Sequence, residues 1–392
     1  MKVVILSAGS VGGEVARELA KSGVVDEMVV ADRDESLARE VVADVQSESM
    51  TAVAAGFDAA DTASIDAVIA GADIVFNAVG PFYRFGMNIV RAAVAARAHY
   101  VDVCDEFDVT QKLINNSELD EAARAAGLTV LTGMGSSPGV TNLAARWAVD
   151  ELTSAHTVNV VIGVPYRVDL GYTLNDHMLH SMSGNVSQYL DGAERDVPAW
   201  DSPQTFTMAE PFGTHDFGYM GHPEGVTLGR YIAGLRNAVV RFAWFEPEGV
   251  QIWKDLDRLG MLSGKVSDGL PISPREFLAR YMTTPEGQRH LGIEVTDQLP
   301  GSAWQVAVDG EKDGVPTRIA IEGHILYPSS RNSAGTITAV PAAAALVELI
   351  EGRLTRRGIV APEACIEDAE GFVRRVTAAS EVGLHHTVTV TS

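Results

Sequence analysis

Four clusters of residues in this 392-residue chain have types and spacings that can do chemistry. The first is Ser7-Ala8-Gly9-Ser10-Val11-Gly12, which follows a short apolar run and opens a helical pattern. That is how a backbone turn approaches a dinucleotide pyrophosphate. Gly9 gives the phosphate room, and Gly12 lets the helix pack close to the strand. The helix start, with Ser10 and Val11, meets the charge with free N–H groups and its dipole. Ser7 stands where the pattern has its first glycine. Asp32 follows Gly12 by twenty residues, at the end of a second apolar run, where an acid can bind ribose hydroxyls. Asp32 favours NAD because a carboxylate repels a 2′-phosphate, whereas Arg33 can pair with one. The two residues leave NAD or NADP open, with NAD ahead.

The second cluster is Asn77-Ala78-Val79-Gly80-Pro81-Phe82-Tyr83, at the C-terminal end of a predicted strand. Open parallel sheets bind ligands there. Ala78, Val79 and Gly80 are candidates for cofactor contact, and so is Asp58 beyond the third predicted strand. Tyr83 is a candidate for substrate contact. The competing reading is a plain strand-to-helix loop. The third cluster, Tyr100-Val101-Asp102-Val103-Cys104-Asp105-Glu106, crowds three acids at another strand end. Asp105 can neutralise a substrate ammonium or move a proton. The alternative is that these acids favour the N-terminus of a following helix. Cys104 reads as buried rather than reactive. The fourth runs from Gly133 to Asn142 (GMGSSPGVTN). Its Pro138 and Gly139 can hold the nicotinamide end of a cofactor or a carboxylate, or simply start a helix.

The elements that must position these clusters follow from apolar periodicity. Strands are expected at Val3–Leu6, Met28–Ala31, Thr51–Ala55, Asp73–Ala78, Tyr100–Val103 and Leu128–Leu131. Helices are expected from Val11, around Ser64–Ala70, and over Gly86–Ala96 and Leu119–Ala126. Repeated β-α units of this length imply a Rossmann-type, doubly wound parallel sheet. The pattern then changes. His156–Val164 alternates in part. Trp304–Val308 and Arg318–Tyr327 read as a hairpin turning through Asp309-Gly310 and Asp313-Gly314. The stretch between, 166–250, is expected to hold short strands and substrate-facing loops. Pro341–Gly352 reads as a helix.

Bulk properties bound the answer. This length allows two to three domains. Two cysteines, Cys104 and Cys365, exclude a disulfide framework and suit a reducing, cytoplasmic setting. No Cys/His spacing suggests zinc. His177 and His180 share a face if helical, but no third ligand is evident, so no metal is expected. The 52 acidic against 30 basic residues give a net charge of −22, which repels nucleic acid and anionic lipid. It also serves simply as solubility. No secretory leader and no run of about 20 apolar residues is present, so neither export nor a membrane partner is expected.

Taken in order, SAGSVG, Asp32-Arg33, NAVGPF, YVDVCDE and GMGSSPGVTN resemble the saccharopine dehydrogenase family in the broad sense. That family includes saccharopine reductases, lysine 6-dehydrogenases and carboxynorspermidine-type enzymes. The resemblance continues through His222-Pro223-Glu224, Thr227–Tyr231, Arg241 and Leu256–Leu262, and again through Val340–Ala343 and Gly358–Glu363. It is thinnest over 165–215 and 265–335. It implies a nucleotide domain over 1–145 and an α/β substrate and dimerisation domain over 146–335. Residues 336–392 would return to the nucleotide domain. It also implies hydride transfer at a C–N bond of an amino acid derivative, with a small-molecule substrate and a homodimer. Arg230 matches an arginine that engages a substrate carboxylate, Asp105 the acid beside the reacting centre, and His222 is a candidate proton carrier or a loop histidine bonded to backbone. Two departures stand out: Ser7 for glycine, and Met134 where many lysine 6-dehydrogenase-like members have cysteine. Two other readings compete with a dehydrogenase: a homospermidine-synthase-like transferase using NAD as an internal redox carrier, and a non-catalytic NAD(P)-binding regulator.

Overall fold

A computed structural model describes residues 1–166, 171–292, 301–326 and 334–391. The chain divides into two compact units: residues 1–147 with the described part of 329–382, and the described part of 148–328 with 383–391.

The first unit opens β1 (Lys2–Leu6), α1 (Ser10–Ser22), β2 (Glu27–Asp32), α2 (Glu35–Val45), β3 (Thr51–Gly56), α3 (Thr62–Ile69) and β4 (Ile74–Asn77). It continues α4 (Phe82–Ala95), β5 (His99–Asp102), α5 (Phe107–Ile114), α6 (Ser117–Ala125) and β6 (Thr129–Leu131), and α7 (Val140–Asp150) leads the chain out. Val3, Val4, Ile5 and Leu6 of β1 are fully buried, as a strand covered on both faces requires. Helix α1 buries Val15, Ala16 and Leu19 and ends at Gly23, whose φ of 70° suits the left-handed cap. Side chains of Asp34, Asp61 and Asn116 cap α2, α3 and α6. The cap residues of α1 and α4, Gly9 and Pro81, supply no such bond. Helix α4 begins at Phe82, four residues before the expected start at Gly86, because its first amides find a partner elsewhere in the fold.

The second unit builds β7 (Ser154–Val164), α8 (Gly171–Ser181), β8 (Asn185–Leu190), β9 (Ala193–Pro198), β10 (Gln204–Met208), β11 (Gly213–Tyr219), α9 (Glu224–Tyr231) and β12 (Asn237–Trp244). Helices α10 (Pro247–Arg258), α11 (Pro274–Met282) and α12 (Pro285–Leu291) follow, then the hairpin β13 (Gly301–Lys312) and β14 (Val315–Leu326). The hairpin turns at Asp313-Gly314, with φ of 53° and 77°, the positive pair that a two-residue turn between twisted strands needs. Asp309-Gly310, the other expected turn, instead lies within β13, where the register against β7 shifts. Asp309 there holds Arg318 with two bonds of 2.6 and 2.8 Å. Tyr327, the expected end of the hairpin, lies outside the described residues.

The chain returns to the first unit through α13 (Ala334–Ile350), β15 (Gly358–Val360), α14 (Pro362–Cys365) and α15 (Ala369–Ala379). Helix α13 starts seven residues before Pro341, which sits inside it. A proline at a first helical turn leaves no bond unmade, so the sequence reads it as a start. Here Ala339, Ala342, Ala343 and Ala345 are small and buried, and α13 packs on α1. The last strand, β16 (Gly383–Val390), pairs with β14 of the second unit. The returning segment therefore splits at Gly383 rather than staying whole to the C-terminus.

Strand order in the first sheet is β15-β6-β5-β4-β1-β2-β3, all parallel. β1 lies between β2 and β4, so the chain reverses direction across the sheet there, and ligands bind at the strand ends beside such a point. The second sheet runs β10-β11-β12-β7-β13-β14-β16, with β8 pairing β12 and β9. Only β7 and β12 pair in parallel among its described strands.

Candidate functional site

The turn after β1 is held from below. Ser7 N–H donates to the Ala31 carbonyl at 2.8 Å, and Ala8 N–H donates to Asp32 Oδ2 at 2.8 Å. The second Asp32 oxygen accepts from Asp34 N–H at 2.9 Å. Asp32 thus fastens the glycine turn to the end of β2 while each oxygen keeps a lone pair. A Cβ at Gly12 would overlap the Ser7 carbonyl oxygen, so Gly12 is the residue that lets α1 leave the strand so tightly. At Gly9 a Cβ would meet only Ser7 Oγ, at 3.4 Å. Protein packing does not demand that glycine, and its backbone is exposed.

The Ser10, Val11 and Gly12 amides find no acceptor among the described residues, and the first turn of α1 carries no acid. They are the orphan donors of a helix N-terminus. Asp58, exposed after β3, bonds locally, accepting from Ala60 N–H at 2.9 Å. Arg33 is exposed, and makes no hydrogen bond or ion pair among the described residues. An open helix N-terminus of this kind fits a diphosphate, and Arg33 fits an added phosphate on the ribose.

The next two strand ends are locked together by residues the motifs contained but whose roles were not read. Asn77 is buried. Its Oδ1 accepts from Val79 N–H at 2.9 Å, and its Nδ2 donates to Tyr100 Oη at 2.9 Å. This fixes the course of Ala78, Val79 and Gly80, all half-buried. Buried Asp102 accepts at Oδ1 from Cys104 N–H, Gly133 N–H and Thr132 Oγ1 at 2.8–3.0 Å, tying the end of β5 to the turn after β6. Burial pushes its carboxyl above the ordinary range, and burial, with Asp102 beside it, pushes the Tyr100 hydroxyl well up.

Glu106 reaches across 24 residues to α4. Its two oxygens accept from Phe82 N–H at 2.9 Å and Tyr83 N–H at 2.5 Å, capping the helix that Pro81 leaves open. Burial and then the neighbouring Asp105 push the Glu106 carboxyl up to about 8, against the two N–H donors that lower it. Asp105 is half-buried beside it, and Tyr83 is 37% exposed at the start of α4. Cys104 is buried, with its thiol pushed well up by burial, so it is not a nucleophile here.

Pro138 and Gly139 are buried in the turn after β6. Gly139 has φ of 121°, and a Cβ there would overlap Gly135, so the turn itself demands glycine. Gly139 N–H donates to Asn142 Oδ1 at 2.9 Å, and Asn142 Nδ2 donates to Glu363 Oε2 of α14 at 3.0 Å. The same turn touches α13, since a Cβ at Gly135 would lie 3.1 Å from Thr338 Cγ2. A Cβ at Gly335 would lie 2.7 Å from the Ser10 carbonyl oxygen. The start of α13 therefore sits against both the turn after β1 and the Gly135 turn.

Within the second unit, His222 is buried, its Nδ1 2.6 Å from Glu224 Oε2, and its ring lies edge-on to His177 at 5.7 Å. Arg230 is exposed in the last turn of α9, its guanidinium 5.9 Å from the Tyr231 ring. His177 and His180 both lie on α8 but serve different partners. His177 contacts Ser181 Oγ at 3.3 Å, whereas His180 Nδ1 accepts from Arg275 Nη1 at 2.8 Å. Among the described residues no group of three or more His, Cys, Asp or Glu is arranged to hold a metal ion. No helix among them is long and apolar enough to cross a membrane.

Comparison with known proteins agrees with this geometry. Residues 3–131 match the family model described as the saccharopine dehydrogenase NADP binding domain. A carboxynorspermidine synthase from Vibrio alginolyticus is 24% identical over 388 residues, covering 92% of this chain and 91% of the relative. A saccharopine dehydrogenase (NADP+, L-glutamate-forming) from Pyricularia oryzae is 28% identical over 236 residues, covering 56% of this chain and 48% of the relative. Apo saccharopine dehydrogenase (L-Glu forming) from Saccharomyces cerevisiae shares the fold, with a TM-score of 0.65 at 15% identity, covering 99% of this chain and 100% of that one. Residues 3–131 thus carry an NAD(P)-binding Rossmann-type domain of the saccharopine dehydrogenase kind, and the chain as a whole is similar to that broad family.

Proposed function

We propose that this chain is an NADP(H)-dependent oxidoreductase that reduces an imine of an amino acid derivative to an amine, or runs the reverse. The observation that carries the cofactor reading is the open start of α1, where the Ser10, Val11 and Gly12 amides find no acceptor among the described residues, beside the clamped Asp32. Asp32 by type favours NAD. Each of its oxygens, however, accepts one backbone N–H, which offsets part of its charge, while Arg33 is exposed with no hydrogen bond or ion pair among the described residues. That balance favours a 2′-phosphate, and so NADP. When bound, the nicotinamide supplies or accepts the hydride.

The chain's own residues hold and neutralise. The Gly80 and Gly135 loops are fixed by Asn77, Asp102 and Glu106, so their backbones are pre-set for a ligand. Asp105 is proposed to balance the charge on the reacting nitrogen, with Tyr83 beside the substrate. In the second unit, Arg230 is proposed to hold a substrate carboxylate and His222, oriented by Glu224, to carry a proton. C–N chemistry is supported by the relative that matches nearly end to end, a carboxynorspermidine synthase.

The test is loss of NADPH absorbance when the full chain is given pairs of a primary amine and an amino acid-derived aldehyde. Consumption of NADPH with formation of a secondary amine is expected. Product formed without net NADPH consumption would instead indicate a transferase that recycles the cofactor. Inertness across the panel, with NADPH still bound, would favour a non-catalytic regulator.

A further inference from the structure

We propose that the Ser7 hydroxyl sets cofactor affinity by holding back one amide of the phosphate-binding turn. This rests on the dinucleotide reading of that turn and assigns a new residue role within it; the ligand class is the diphosphate of a dinucleotide. Glycine occupies the first position of such turns because the tight backbone needs it. Ser7 adopts φ of 92°, where an L side chain is strained. The turn imposes this conformation. Ser7 N–H is tied to the Ala31 carbonyl at 2.8 Å, and its own carbonyl oxygen lies against Gly12.

What serine adds to the strained backbone is an oxygen. Ser7 Oγ accepts from Gly9 N–H at 3.2 Å. The Ala8 amide already serves Asp32. The turn therefore offers Ser10, Val11 and Gly12 amides to a diphosphate, and offers Gly9 only once the hydroxyl lets go. Gly9 is exposed, and the single heavy atom near the place of its missing Cβ is Ser7 Oγ. Gly9 N–H makes no other hydrogen bond among the described residues. A phosphate oxygen is the stronger acceptor because it is charged, yet it must displace the hydroxyl to reach the Gly9 amide. With glycine or alanine at position 7 that competition is absent.

The experiment is a fluorescence titration of the full chain with NADPH and with NADH, alongside thermal melts without nucleotide. Ser7→Ala removes the oxygen and keeps a side chain at the strained φ, whereas Ser7→Gly removes both oxygen and strain. Both variants are expected to bind nucleotide about 3- to 10-fold more tightly than wild type, the worth of one released hydrogen bond. Only Ser7→Gly should raise Tm. Tightening in Ser7→Gly alone would trace the effect to backbone strain and overturn the proposal. An unchanged or weaker Kd in Ser7→Ala would overturn it too, the weaker case meaning that the hydroxyl donates to phosphate. A wild-type chain that binds neither nucleotide defeats the dinucleotide reading itself, and this proposal with it, before any variant is compared.

Discussion

Single residues decide how the strand ends hold their shape, and the sequence shows them unevenly. Gly12 was legible, because a glycine between a strand and a helix has one steric purpose. Here it spares an overlap with the Ser7 carbonyl. Glu106 was not legible. Its partners, Phe82 N–H and Tyr83 N–H, lie 24 residues upstream, and no spacing rule connects an acid to a helix start so far away. Its protonation carries a prediction. The folded protein holds the Glu106 proton up to about 8, well above the ordinary 4.5. A raised folded value stabilises the protein below the unfolded value, and that contribution is lost as pH rises through the folded one. Urea midpoints measured from pH 4.5 to 8 should fall in the wild type by more than in Glu106→Gln. Glu106→Gln should start from a lower baseline, because an amide nitrogen cannot accept from the α4 amides. Equal slopes in the two proteins would show that Glu106 ionises normally.

Elements were read well where periodicity is local and poorly where packing overrides it. Strands β1 to β6 of the first sheet fall within two residues of their expected ends, since buried parallel strands are short apolar runs, whereas β15 was not expected. Helix α13 was misplaced. Pro341 looks like a start, but the helix carries on through it, and α13 packs on α1. That approach places Gly335 against the Ser10 carbonyl, with 2.7 Å for any Cβ. Gly335→Val should push on the diphosphate turn. It is expected to lower stability by about 1–3 kcal/mol, as overpacking does, and to weaken nucleotide binding along with it. Urea denaturation and nucleotide titration of the same variant check both. Lost stability with unchanged nucleotide affinity would show that α13 does not brace the turn.

At the scale of the whole molecule, the first unit was more legible than the second because its contacts follow chain order. β1, β2 and β3 are neighbours in sequence and in space. In the second sheet β7 pairs with β12 some 80 residues later and with β13 later still. Strands β8 to β11 fill a stretch read only as short strands and loops, and α8, which carries His177 and His180, was not anticipated as an element. The acidic net charge of −22 opposes an anionic cofactor at long range, so the proposed binding rests on local donors, the α1 amides and Arg33. The direct measurement of that claim is calorimetric titration of NADPH and NADH into the wild type and Arg33→Ala. The wild type should bind both, NADPH the more tightly. Arg33→Ala should lose about tenfold for NADPH, the worth of a charge-assisted bond, and almost nothing for NADH. Equal weakening of both nucleotides, or binding of neither by the wild type, would contradict the account.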